Sequence, residues 1–336
     1  MFQITAQTSQ TLVTAFLAFI LPFVAIIMLT PLLIKILSKR GNLVLDYHKP
    51  NKPLVPTPGG PAIFFSLILG ESFVYLVTGA NGALALILVT AIAGVIGVLD
   101  DIYTLSAVLK PVLLIMASFP ILILGAYNFH IAFPLFGEVR LSIIYPILIL
   151  IAIPVTANTI NTIDVLNGAV SGFLAISSIP LILALAFKGS MDTVLMVMPL
   201  LSVALGFFIF HRFPSKIFPG DSGSLSLGAI YGAIAIVGGI EVIGIVALLP
   251  AILNSFFFLS SVKRLVEGRI IKLRPIKVLS GNMLEASRNG SAPITLVRLI
   301  LADGPLVEKE VVQNILKMAV FSSFLAIVTA VLTWVI

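Results

Sequence analysis

Long apolar stretches, broken at intervals by short polar clusters, set the pattern of this chain. A helix crosses a bilayer with roughly 17–25 predominantly apolar residues. Segments of that kind fall near residues 11–35, 59–78, 82–99, 107–126, 141–157, 168–187, 193–210, 223–239, 241–262 and 311–335. The pattern predicts an all-α, polytopic membrane bundle of about ten transmembrane helices. Pro111, Pro120, Pro146, Pro154, Pro180 and Pro199 fall at or inside predicted spans, so one or two of these are candidates for re-entrant segments.

One connection breaks the pattern. Residues 263–310 are hydrophilic and too long for an ordinary link, which marks them as functional. Arg269–Leu279 and Met283–Ser287, with Ser-Gly-Asn between them, predict a small hairpin. Ile294–Leu301, apolar apart from Arg298, predicts a short interfacial helix. Nothing in composition divides the chain, so residues 1–336 are read as one integral membrane domain with this loop as an insertion.

Composition and charge sharpen the reading. Hydrophobic residues make up 59% and charged residues 10%, against about 45–50% and 25% in soluble domains. The formal charge of +6 is explained by orientation and anionic headgroups before nucleic acid, which is not an expected partner. If the spans alternate, Arg140 and Lys188 alone of the 20 Lys and Arg residues fall in one set of loops. The other set is therefore placed in the cytosol, with both termini outside. Absence of Cys removes disulfides, thiolate ligands and a Cys nucleophile.

Three polar clusters share the basic face. G-V-L-D-D-I-Y-T-L-S carries Asp100 and Asp101 at the end of the third span, with Lys110 opening the next. N-T-I-N-T-I-D-V-L-N-G spaces Asn158, Asn161, Asp164 and Asn167 every third residue, which on a helix lines one wall of a cavity. F-P-G-D-S-G-S sets Asp221 and free backbone N–H groups at the start of the eighth span. The plain alternatives are a solvated helix end, an interhelical amide seam and an N-capping turn. Carboxylates, amides, a lysine and a glycine turn on one face suit an anionic substrate with a hard cation, and phosphoryl transfer asks for that inventory. His48, His130 and His211 are scattered and do not suggest a metal site. Glu71 lies inside the second span, where it is either a neighbour of a lipid phosphate or an inward structural hydrogen-bonder.

D-D-x8-K, N-x2-N-x2-D-x2-N-G and F-x-G-D-x-G-S together, over a match running from P-T-P-G-G at residues 56–60 onwards, resemble the polyprenyl-phosphate N-acetylhexosamine-1-phosphate transferases. The segments D-Y-H-K at residues 46–49 and I-T-L-V-R-L-I-L-A-D-G-P-L-V-E at residues 294–308 are similar to the dolichyl-phosphate branch of eukaryotes and archaea. Bacterial branches carry a histidine-rich motif in the last cytosolic loop, and this loop has none. Val165 and Asn167 depart from the bacterial D-G-x-D-G run.

The resemblance implies transfer of N-acetylglucosamine-1-phosphate from UDP-N-acetylglucosamine to a dolichyl or polyprenyl phosphate on the cytosolic face. It implies magnesium, or manganese in its place, held by Asn161 and Asp221. Lys110 would contact the pyrophosphate, and Asp100 and Asp101 would share acceptor activation and metal-side geometry. Asn167 and Phe218 would face the uracil, with Asn158, Asp164, Lys49, Arg269, Lys272 and Arg274 as further substrate contacts. A homodimer is left open. The rivals are a bacterial-type transferase for wall or surface polysaccharide and, in another class, a transporter or flippase.

Overall fold

The computed structural model describes residues 2–49, 51–263 and 273–335, with the side chains of residues 2–10 left out of the description. The first helix, α1 (Phe2–Arg40), leads into a two-stranded ribbon of β1 (Leu43–Leu45) and β2 (Leu54–Pro56), then α2 (Gly60–Thr78) and α3 (Asn81–Tyr103). Two short helices, α4 (Leu109–Leu114) and α5 (Phe119–Ile123), flank a 3₁₀ turn and precede a hairpin of β3 (His130–Phe133) and β4 (Gly137–Arg140). The bundle continues through α6 (Tyr145–Ile163), α7 (Ala169–Phe187), α8 (Met191–His211), α9 (Gly220–Gly238), α10 (Glu241–Ala247) and α11 (Leu249–Val262). Strands β5 (Ile276–Val278) and β6 (Met283–Ala286), the helix α12 (Leu296–Ile300), strand β7 (Leu306–Val307) and α13 (Glu308–Trp334) complete it.

Eight of these helices are long and apolar enough to cross a membrane among the described residues, nine if α10 and α11 count as one span. Two predicted spans take a different form. Residues 107–126 yield only the composite run Leu109–Ile123, which at 1.5 Å per residue reaches about 22 Å, short of a bilayer's ~30 Å. Pro120 sits in the first turn of α5, where it lacks the N–H that would continue the preceding helix. Residues 241–262 are bent by 69° between α10 and α11, with Pro250 in the first turn of the second piece. By contrast Pro154, Pro180 and Pro199 lie inside continuous helices.

The innermost helix is α9, buried without interruption from Asp221 to Ile236 and packed on α2, α3, α6, α7, α8 and α10. Its sequence explains this position. In lipid, apolar side chains gain little from meeting one another, so close packing falls to small residues, and α9 is largely Gly, Ser and Ala. A Cβ on Gly228 would stand 2.7 Å from the Ala157 Cα, so α6 lies directly against the α9 backbone.

The predicted hairpin is present as β5–β6, turning at Ser280–Asn282 and extended by β7. The predicted interfacial helix is the single turn α12, capped by Thr295, whose side chain accepts from the Arg298 N–H. Leu296 and Val297 are buried, and the Leu296 N–H bonds Asn254 Oδ1 at 2.8 Å, so this turn is docked on α11.

Candidate active site

The polar clusters meet where α3 ends and α9 begins. Asp100 and Asp101 are consecutive on α3, so their side chains leave the helix about 100° apart and serve different neighbours. Asp100 Oδ1 accepts the Leu105 N–H at 2.7 Å, closing the turn that brings Lys110 back to the site. Lys110 Nζ lies 2.5 Å from Asp100 Oδ2 and 3.1 Å from Asp221 Oδ1. Asn161 Nδ2 donates to the same Asp221 oxygen at 2.7 Å, and Asn161 Oδ1 accepts from Ser224 Oγ at 3.2 Å. A continuous chain therefore links four helices through Asp100, Lys110, Asp221 and Asn161. Asp100, Lys110 and Asp221 are each buried. Burying an ammonium and two carboxylates is costly even when they pair, and such groups in a membrane protein mark function.

Asp101 turns instead to the backbone of α9. Its Oδ1 accepts the Asp221 N–H at 2.8 Å, and its Oδ2 accepts both the Ser222 N–H at 3.0 Å and Ser222 Oγ at 2.6 Å. The α9 cap position is Pro219, which has no side-chain acceptor. Asp101 supplies the cap from another helix, its charge at the positive end of the helix dipole.

The asparagine run does not stay on one helix. α6 stops at Ile163, Asp164 adopts φ −79° and ψ 63°, and Gly168 takes φ +90°, a conformation that favours glycine. Asn158 and Asn161 therefore stand on α6, whereas Asp164 and Asn167 occupy the following turn. Asn158 Nδ2 folds back onto the Pro154 carbonyl at 2.7 Å. The Asp164 side chain is 13% exposed and its Oδ1 lies 3.7 Å from His211 Nε2. Burial, with Asp221 and Asp101 nearby, pushes the Asp164 carboxyl well above the usual carboxylate range. His211 Nδ1 in turn pairs with Ser171 Oγ at 3.0 Å. His211 belongs to no motif and reads in the sequence as a scattered histidine; the structure sets it between Asp164 and Ser171, both distant from it in the chain.

A second polar cluster adjoins the first. Asn167 Nδ2 donates to Asp46 Oδ2 at 3.1 Å, and Glu308 Oε1 accepts the Asn167 N–H at 2.9 Å. Lys49 bonds Asp46, lies 3.4 Å from Glu308 Oε2 and stands 4.9 Å over the Phe213 ring. Burial works to raise the Asp46 carboxyl, but the bonds from Lys49 and Asn167 outweigh it and hold it below its ordinary value. Burial lowers the His48 imidazole, helped by the charges of Lys49 and Arg274 against the opposing pull of Asp46.

Phe218 is half-buried, its backbone bonded to Pro56 and Gly59 of the segment entering α2. Arg274 is exposed, and Arg269 and Lys272 lie outside the described residues. Glu71 is away from this end; it is fully buried, and neither carboxyl oxygen has a hydrogen-bond partner among the described residues.

Among the described residues no group of three His, Cys, Asp or Glu forms a ready metal cage. Magnesium does not require one, because it binds through one or two carboxylates and completes its shell with phosphate oxygens and water. The Asp221 carboxylate is a hard oxygen donor of this kind; the Asn161 amide beside it presents its NH2 to that carboxylate and its oxygen to Ser224, so its oxygen would join a cation's shell once the amide turns over.

The sequence model of glycosyl transferase family 4 matches residues 83–239, from α3 through α9. A Sulfolobus acidocaldarius protein named UDP-N-acetylglucosamine–dolichyl-phosphate N-acetylglucosaminephosphotransferase is 34% identical over 236 residues, covering 66% of this chain and 70% of its own. A Saccharolobus solfataricus protein of the same name is 32% identical over 212 residues, covering 60% and 64%. A phospho-N-acetylmuramoyl-pentapeptide-transferase of Streptococcus mutans is 29% identical over 293 residues, covering 79% and 86%. The matched segment contains the Asp100–Lys110–Asp221–Asn161 network, and this chain belongs to glycosyl transferase family 4.

Proposed function

We propose that the protein transfers N-acetylglucosamine-1-phosphate from UDP-N-acetylglucosamine to a dolichyl or related polyprenyl phosphate, the opening step of lipid-linked oligosaccharide assembly for protein N-glycosylation. The observation that carries this is the Asp100–Lys110–Asp221–Asn161 network, whose three charged members are buried, joined to a family of sugar-phosphate transferases. An oxygen of the lipid phosphate attacks the β-phosphorus, and the bond from that phosphorus to the bridging oxygen breaks. UMP leaves with that oxygen, and the lipid retains a pyrophosphate-linked sugar.

Lys110 neutralises charge on the transferring phosphoryl group, and Asp100 holds the ammonium in place while facing the acceptor. Asp101 fixes the first turn of α9 and thereby the Asp221 carboxylate. Asp221 and Asn161 are the residues that would hold magnesium, or manganese. When bound, the cation supplies Lewis-acid stabilisation of the pyrophosphate. By the family resemblance, Asn167 and Phe218 would face the uracil. The charge asymmetry of the loops supports a cytosolic active face in the cell membrane of a prokaryote or the endoplasmic reticulum of a eukaryote.

The bacterial-type reading draws on the Streptococcus mutans relative and differs in sugar and lipid. The transporter reading lacks support, because the paired polar network stands at one end of the bundle and not at mid-span. Purified protein in detergent with magnesium separates all three. UMP release from UDP-N-acetylglucosamine that depends on dolichyl phosphate is the expected result. A preference for a UDP-N-acetylmuramoyl-pentapeptide with undecaprenyl phosphate would select the bacterial reading, and no release with any pair would remove the enzyme assignment.

A further inference from the structure

The cluster around Asn167 joins three distant parts of the chain. Asn167 and Glu308 lie 141 residues apart, and Asn167 and Asp46 lie 121 apart. Asp46, Asn167 and Glu308 are each 2% exposed. The two Glu308 oxygens are divided: one accepts the Asn167 N–H, and the other faces Lys49 on the β1–β2 connection. Glu308 is also the first residue of α13, at the end of the long hydrophilic segment and immediately after β7. Its two oxygens engage the Asn167 N–H and Lys49, so its effect on chemistry passes through the turn it holds. An ion pair of this kind, buried with net negative charge, is weak evidence for stability alone; its best-attested use is to fix a register.

We infer that Glu308 is a positioning residue for the nucleotide sugar: it locks the Asn167 turn and the Lys49 connection into one wall and makes the end of the long loop part of the uridine subsite. This rests on the transferase reading above. Ordering that wall in advance removes a cost otherwise met at binding, so the effect belongs in the KM for the nucleotide sugar and not in the lipid KM.

Glu308→Ala removes both contacts, whereas Glu308→Gln keeps an oxygen for the Asn167 N–H and loses the charge facing Lys49. Glu308→Ala should raise the KM for UDP-N-acetylglucosamine about tenfold, with a smaller change in kcat and an unchanged lipid KM. Glu308→Gln should fall between it and the wild type. Because Glu308 acts through the turn, Glu308→Ala combined with Asn167→Ala should be little worse than Asn167→Ala alone. A loss confined to kcat, an equal rise in the lipid KM, or losses that multiply in the double variant would each overturn the assignment.

If Glu308→Ala does not fold in detergent, Glu308→Gln carries the same test. The transferase reading fails separately, as a wild-type protein that releases no UMP. Titration with UDP-N-acetylglucosamine then reads the wall directly: weaker binding by Glu308→Gln supports it, equal affinity overturns it, and a wild type that binds no UDP-N-acetylglucosamine overturns both.

Discussion

The two ends of α9 solve the same problem with opposite charges. At its start, Asp101 from α3 accepts the orphan N–H groups of the first turn. At its end, Lys188 donates to the Gly238 carbonyl at 2.8 Å and the Gly239 carbonyl at 3.2 Å, with the Trp334 ring 5.8 Å away. Each cap comes from another part of the chain, and each charge suits the helix dipole. The difference lies in what stands next to the cap. Beside Lys188 the acidic neighbour Glu241 is engaged by the Tyr145 hydroxyl and not by a cluster of charges. Beside Asp101 the first turn carries Asp221, whose carboxylate meets Lys110 and Asn161. A capped helix end becomes a site when the cap aligns charged groups that a substrate completes.

The largest effect is expected where that distinction is sharpest. Asp221→Asn keeps size and most hydrogen-bonding capacity but removes the charge that a hard cation and Lys110 both use. UMP release should fall roughly 10²-fold or more while the melting temperature in detergent changes little. If Asp221 only completes the helix start, Asn serves nearly as well and activity persists. Chelation provides the companion measurement: full turnover in excess chelator would remove the cation from the scheme.

A smaller effect should follow from moving the cap without touching the charges. A Cβ on Gly97 would stand 2.3 Å from the Ser222 Cα and 2.8 Å from the Asp221 carbonyl oxygen. Gly97→Ala must part α3 from α9, at a cost of about 1–3 kcal/mol, and carry Asp101 away from the turn it caps. Asp101→Asn leaves the helices in contact; its amide oxygen keeps one set of donors, but the NH2 that replaces the other oxygen cannot accept, a loss of about 1 kcal/mol per hydrogen bond. Activity should therefore follow the order wild type, Asp101→Asn, Gly97→Ala. Equal activity in all three would show that the first turn of α9 holds its geometry without α3.

This gradation explains what the sequence disclosed. The apolar spans were legible because lipid demands long helices, and the meeting of Asp100, Lys110, Asn161 and Asp221 was legible because their motifs share one basic face. Pro111 and Pro120 mark the 107–126 stretch as irregular, but the bend before Pro250 was not legible, since hydropathy sums composition and is blind to direction. Asn167 was misplaced on α6 because three-residue spacing persists through a turn that the Asn-Gly pair ends. Glu308 carries no role in the sequence beyond closing the segment at residues 294–308, and His211 reads as a stray imidazole, since their partners, Asn167 and Ser171, are distant in sequence. What stayed hidden was partnership across the chain, including the capping role of Asp101.

The smallest effect should come from the opposite end of α9. Lys188 stands outside the network that binds and transfers phosphate, so Lys188→Gln should leave kcat and both KM values at wild-type levels. Its contribution to stability is small, about 0.5 kcal/mol for a charge at a helix C-terminus, and it is opposed by desolvation. Burial lowers the Lys188 pKa, with Glu241 and Glu138 pulling in the other direction without restoring it. The sign then follows from proton linkage. Between the depressed folded value and the ordinary lysine value of 10.5, the unfolded chain binds more protons than the folded one, so stability contributed by this group rises with pH. Wild type should gain on Lys188→Gln in melting temperature as pH is raised from neutrality towards that value. A difference that shrinks with rising pH would mean that the folded protein prefers the charged lysine, making the C-terminal cap a stronger restraint than the burial around it allows. Loss of UMP release in this variant would break the comparison itself, because both ends of α9 would then be tied to the chemistry.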